Sequence, residues 1–106
     1  GVPPPLPAPQ PPREIVMDFG MALAALKSDA KVSRGGWNGK GMFVALSPGF
    51  ELPSHRVFSR VLHNEIGTGT GVFRPYLMMR TVDGEFVPWV ASQTDLLAED
   101  WVILSE

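Results

Sequence analysis

Apolar residues at Phe19, Ala22, Leu23 and Leu26 recur at helical spacing, and Asp18 just ahead of them is a good N-cap, so Phe19 to about Ser28 is predicted to form an amphipathic helix. The third helical position is Met21, which rules out a capping box. Lys27 and Lys31 lie near the C-terminal end, where the helix dipole favours cations. Short apolar runs follow. Val32 to Arg34 is a strand candidate broken by Gly35-Gly36, and Met42 to Leu46 is another, ended by Ser47-Pro48-Gly49. Arg74 to Val82 and Glu85 to Val90 flank Asp83-Gly84 and predict a hairpin. Pro88 assigns its second strand to an edge or a bulge. Ser92 or Thr94 can cap a single helical turn through Asp95 to Ala98, and Trp101 to Leu104 reads as a closing strand. Residues 50 to 73 carry the weakest pattern. Val57, Phe58, Val61 and Leu62 fit a short helix from Ser54 to Asn64, and Gly67-Thr68-Gly69-Thr70-Gly71 reads as a flexible loop. The fold class is α+β: one main N-terminal helix packed on a small, mostly antiparallel sheet.

Composition changes this picture at the N-terminus. Residues 1 to 14 hold seven of the eleven prolines, which favours an extended polyproline tail and excludes helix or central strand. The folded domain is expected over residues 15–106, starting near Ile15 or Met17. A domain of about 90 residues buries only about 60–65% of its unfolded surface, which makes homo-oligomerisation a natural source of extra stability. The chain has no cysteine, so disulfide and thiolate chemistry are excluded. No segment resembles a signal peptide or is long enough to span a bilayer, and a soluble protein of the cytoplasm is expected.

The net charge of −2 hides an asymmetry. Lys27 to Arg80 carries eight bases against three acids, whereas Thr81 onward carries six acids and no base. A nucleic-acid polymer needs a broad basic face, and this pattern does not supply one. A small anion needs only two or three cations.

Catalytic signals are weak. His55 and His63 have no third ligand near them in sequence, so no metal site is expected. No Gly-x-Ser-x-Gly elbow supports a Ser-His-Asp set, and the 67–71 glycines lack the Lys-Ser/Thr of a phosphate-binding loop. Asp95, Glu99 and Asp100 suit helix termini as well as acid–base work. No catalytic residue is assigned.

The tryptophans carry more. Trp101 leads an apolar strand and is assigned to the core. Trp37 sits in Ser33-Arg34-Gly35-Gly36-Trp37-Asn38-Gly39-Lys40-Gly41, and Trp89 is followed by Ser92-Gln93-Thr94-Asp95. An aromatic face beside an amide and a cation is what a nucleotide-sized ligand requires. Core packing for the indoles, and helix capping for Ser92, Thr94 and Asp95, are the competing readings.

These segments, with Arg74-Pro75-Tyr76, Thr81-Val82-Asp83-Gly84 and Pro88 to Trp101, resemble the Thoeris anti-defence protein 2 family of small phage proteins. The resemblance runs from Met17 to about Ile103; the proline-rich tail lies outside it, and residues 50 to 73 match only loosely. It implies a non-catalytic sponge in the host bacterial cytoplasm that holds a cyclic ADP-ribose-type immune signal away from its effector. Some family members also sequester cyclic dinucleotides. It further implies homotetramers with pockets between subunits and no cofactor. The ligand-binding positions it suggests are Trp37, Asn38, Gly39, Lys40, Arg74, Tyr76, Trp89, Ser92, Gln93, Thr94 and Asp95.

Chemistry then distributes the roles. Trp37 and Trp89 offer base platforms, each stack contributing about 1–3 kcal/mol. Lys40, with Arg34 or Arg74, neutralises phosphate, and the Gly39 and Gly41 amides approach it closely. Asn38, Ser92, Gln93, Thr94 and Asp95 suit base edges and ribose hydroxyls. A sponge needs nanomolar affinity, about −12 kcal/mol, more than two stacks and one phosphate contact provide. Enclosure between protomers supplies the difference. The alternatives are an enzyme that degrades the signal and an interaction module that uses the tail.

Overall fold

The computed structural model describes residues 1–6, 17–37 and 41–104. A five-stranded antiparallel sheet in the order β6-β5-β2-β1-β7 carries one long helix. Its strands are β1 (Lys31–Arg34), β2 (Phe43–Ser47), β5 (Tyr76–Arg80), β6 (Phe86–Pro88) and β7 (Trp101–Leu104), and the helix is α1 (Phe19–Lys27). The α+β expectation holds.

Helix α1 starts where the sequence places it. Asp18 accepts a hydrogen bond from the Met21 N–H at 2.8 Å, and Ala22 and Leu26 are fully buried on the inner face. Its end is a Schellman turn: the Ala30 N–H reaches the Ala25 carbonyl at 3.0 Å, and the Asp29 N–H reaches that of Leu26 at 3.1 Å. Asp29 takes the left-handed conformation (φ 64°) that glycine usually supplies at this position. The helix lies over β1, β2 and β7. With Met17, Val32, Val44 and Trp101, its inner face forms the buried core.

Edge strand β6 contains Pro88, as its missing N–H requires. At the opposite edge, Met17 exchanges two backbone hydrogen bonds with Trp101, at 2.8 and 3.0 Å.

Residues 50 to 73 differ from expectation. In place of a single helix from Ser54 to Asn64 there is a 3-10 turn (Ser54–Arg56) and a helix α2 (Arg60–Ile66) capped by Ser59. Part of the expected glycine loop is a strand: β4 (Thr70–Phe73) pairs antiparallel with β3 (Phe50–Pro53) in a separate two-stranded sheet. Phe50 and Phe73 face each other across that ribbon and stack at 5.1 Å, a non-local contact that draws Thr70 and Gly71 into a strand. Gly67 (φ 64°) ends α2, which accounts for one of those glycines.

Ser47 and Tyr76 are register partners on the neighbouring strands β2 and β5. The whole segment 48–75 is therefore an enlarged hairpin connection. It stands off the main sheet as an arm whose elements pack chiefly on one another.

Candidate functional site

Three tryptophans from separate segments meet above the N-terminal end of β7. Trp101 is fully buried, and Trp37 and Trp89 are half-buried around it. All three pairs are edge-to-face: Trp37–Trp101 at 5.6 Å, Trp89–Trp101 at 5.9 Å and Trp37–Trp89 at 6.4 Å. Phe19 from α1 adds a fourth ring, 5.5 Å from Trp101. This geometry satisfies the ring quadrupoles and makes the cluster rigid. Core packing and an accessible rim are combined here, because only Trp101 is closed off.

Helix α3 (Gln93–Leu97) forms one wall. Ser92 caps it in a full capping box: its hydroxyl accepts from the Asp95 N–H at 3.1 Å, and the Asp95 carboxylate accepts from the Ser92 N–H at 3.0 Å. Gln93 and Thr94 are exposed on the first turn. The indole N–H of Trp101 ties this turn to the cluster by donating to the Asp95 carbonyl at 2.9 Å.

Arg34 closes the arrangement. Its Nη1 donates to Asp95 at 3.0 Å and its Nε to Asp100 at 2.9 Å. Asp100 in turn accepts from the Gly36 N–H at 3.2 Å, while its carbonyl accepts from the Gly35 N–H at 2.8 Å. One guanidinium thus fixes α3, the start of β7 and the turn leading to Trp37. Burial works to raise the Asp95 carboxyl, but the Ser92 N–H, the Ser92 hydroxyl and Arg34 outweigh it and hold it below the usual carboxylate range. The Arg34 hydrogen bond, against desolvation, holds Asp100 below it too. Asp100 pairing leads in raising the Arg34 guanidinium, so it stays charged.

The expected site residues therefore fall into two groups. Trp37, Trp89, Ser92, Gln93, Thr94 and Asp95 share the cluster and its α3 wall. Asn38, Gly39 and Lys40 lie outside the described residues. Arg74 sits at the base of the arm, in an open cavity of about 360 Å³ shared with Phe50, Glu51, Phe73 and Pro75. Tyr76 follows on β5, half-exposed, beside the carbonyl of Leu77 that receives the Trp89 N–H at 2.9 Å. That cavity is distinct from the tryptophan rim. Asp100 and the structural role of Arg34 were not readable in sequence: the partners lie 61 and 66 residues apart, and only the folded sheet joins them. Among the described residues no cluster of His, Asp or Glu is placed to hold a metal. No helix among them is long and apolar enough to cross a membrane.

The model of the Thoeris anti-defense 2-like domain matches residues 17–104, which takes in the cluster, the arm and the whole sheet. The chain belongs to this family. A Thoeris anti-defense 2 protein of Bacillus phage SP01 is 41% identical over 95 residues, covering 84% of this chain and 96% of that protein. As a Thoeris anti-defense 2-like domain, the chain falls among phage anti-defence proteins. Outside the match lie residues 1–16, which hold seven of the eleven prolines, and residues 105–106.

Proposed function

We propose that this domain sequesters a cyclic nucleotide immune signal without cleaving it, and so denies it to its effector. The observation that carries the reading is the rim itself. Two half-buried indoles stand beside the exposed Gln93 and Thr94 of α3, on a scaffold locked by Arg34. A preorganised aromatic rim with free amide and hydroxyl groups reads a purine and a ribose at small entropic cost. The signal class is a glycocyclic ADP-ribose, with cyclic dinucleotides as a second class, in the host bacterial cytoplasm.

Trp37 and Trp89 present their free edges and faces to the base. Ser92, Gln93 and Thr94 meet hydroxyls and base edges, with Asp95 holding Ser92 and Arg34 in place. Asn38 joins them at base edges and hydroxyls, Gly39 and Lys40 meet the diphosphate, and Arg74 and Tyr76, which stand apart from the rim within one protomer, complete the contact set from a neighbouring subunit. Since Arg34 is committed to two carboxylates, phosphate neutralisation falls to Lys40 and Arg74. A homotetramer with ligand between subunits provides the enclosure that a small protomer lacks.

Calorimetric titration with cyclic ADP-ribose isomers, cyclic dinucleotides and plain ADP-ribose tests this, followed by heat release and chromatography. Tight binding with intact ligand recovered supports sequestration. Recovered products would mean an enzyme. Absence of binding to every compound would overturn the reading in favour of an interaction module. Trp89→Ala is expected to abolish tight binding with the fold retained. Lys40→Ala is expected to weaken it and flatten its salt dependence.

A further inference from the structure

Arg80 ends β5, with Phe43 of β2 and Phe86 of β6 as its register partners. Its guanidinium reaches past the sheet to the backbone just ahead of β2. Nη1 donates to the Gly41 carbonyl at 3.0 Å and to the Thr81 carbonyl at 3.3 Å. Two glycines make room for it. A Cβ on Gly41 would stand 2.5 Å from Nη1, and one on Gly84 would stand 3.3 Å from Nη2. Both glycines take a φ of 83°, which residues with a Cβ rarely adopt.

The turn on which Arg80 pulls is itself closed. The Gly84 N–H donates to the Thr81 carbonyl at 3.0 Å, the Glu85 N–H to the Thr81 hydroxyl at 3.1 Å, and the Thr81 N–H to the Glu85 carbonyl at 2.8 Å. Gly41 is thereby tied to the β5–β6 hairpin. At the other end of the same connection, Asp100 holds the Gly35 and Gly36 N–H groups, and the Trp37 N–H donates to the Arg34 carbonyl at 3.1 Å. Among the described residues Arg80 pairs with no carboxylate, so its hydrogen bonds go to backbone alone. The sequence suggests Gly41 for close approach to phosphate, whereas in the structure its carbonyl and its missing Cβ serve Arg80.

We propose that Arg80 is a positioning residue of the nucleotide site: by joining Gly41 to the 81–85 turn it fixes the second end of the segment that starts at Trp37 and carries Lys40. This rests on the sequestration reading above. Gly39 and Gly41 make that segment costly to order, and an end fixed before binding removes part of the cost from the affinity.

Calorimetry with the cyclic ADP-ribose isomers and cyclic dinucleotides of the panel above tests it. Arg80→Ala is expected to weaken binding about tenfold, the equivalent of one further residue ordered on binding. The salt dependence of binding should match the wild type, because Arg80 meets no phosphate, whereas Lys40→Ala flattens it. Gly41→Ala, which drives a Cβ against Nη1, should give a loss of the same order, and the double variant little more than either alone. An Arg80→Ala protein that melts lower yet binds as the wild type does would make the residue purely structural and overturn the proposal. A flattened salt dependence in Arg80→Ala would make it a phosphate contact and overturn it too. Backbone amide NMR relaxation supplies a readout that needs no ligand. Order parameters at Gly41 and Met42 should fall in Arg80→Ala while Val44 stays near the rigid value of about 0.85. Unchanged order at Gly41 would remove the tie. If the wild type binds no cyclic nucleotide, sequestration falls and the order parameters alone decide whether Arg80 fixes this end. Tight binding that Arg80→Ala leaves intact keeps sequestration and sinks the positioning role.

Discussion

Trp101 donates its indole N–H to the main-chain carbonyl of Asp95 across 2.9 Å, which makes the innermost aromatic of the core also the anchor of the α3 wall. Burial of a tryptophan leaves its N–H in need of an acceptor, and the carbonyl at this helix turn supplies one. Core and candidate site are thus held by a single side chain.

Trp101→Phe removes that hydrogen bond and part of the ring volume together. A loss of about 2–3 kcal/mol in unfolding free energy is expected from the two effects combined. Urea unfolding followed by circular dichroism checks it. Backbone amide exchange in residues 93–97 should accelerate more than in α1.

Arg34→Ala leaves Asp95 and Asp100 facing each other without a cation. The expected cost is about 1–3 kcal/mol, since charge-assisted hydrogen bonds are lost from part-buried groups. Lys at this position should recover little of it, because one ammonium does not reproduce a fork that reaches two carboxylates. The difference between the two variants in chemical denaturation is the measurement.

Acid should act through the same pair. Both carboxyls are held below their ordinary range in the folded state, so the stability they contribute is present above about pH 4 and is lost as pH falls through their folded values. Stability therefore rises with pH across that window. In Arg34→Ala the acid limb of the curve should be shallower than in the wild type, and thermal melts between strongly acidic and neutral pH read this directly.

Asp29→Gly is expected to stabilise the domain. Asp29 occupies the left-handed position that ends α1, a conformation costing roughly 1–2 kcal/mol for residues with a Cβ, part of which glycine returns as unfolded-state entropy. A net gain of about 0.5–1 kcal/mol should show as a higher Tm by differential scanning calorimetry.

Local signals carried much of this fold. The Asp18 cap, the apolar spacing of α1, the Asp83-Gly84 turn and the edge position of Pro88 all act within a few residues, and the structure bears them out. The arm was illegible for a physical reason. Thr70 and Gly71 carry almost no patterning of their own and become a strand through pairing with Pro53 and Leu52. At the site, the sequence showed which residue types were available. It did not show that Asp95 spends its carboxylate on Ser92 and Arg34, because the second partner arrives from β1. The tryptophans illustrate the same limit: two loops and a strand converge only once α1 covers the sheet.

The pairing of Ser47 with Tyr76 has a consequence for how this domain can change over time. The chain leaves the sheet and re-enters it at one matched position, so insertions or deletions between those residues do not disturb strand register. Lengthening such a connection costs only about 0.6 kcal/mol per doubling. Segment 48–75 can accordingly change in length without disturbing the sheet that carries the tryptophan cluster, and relatives should differ in length there first.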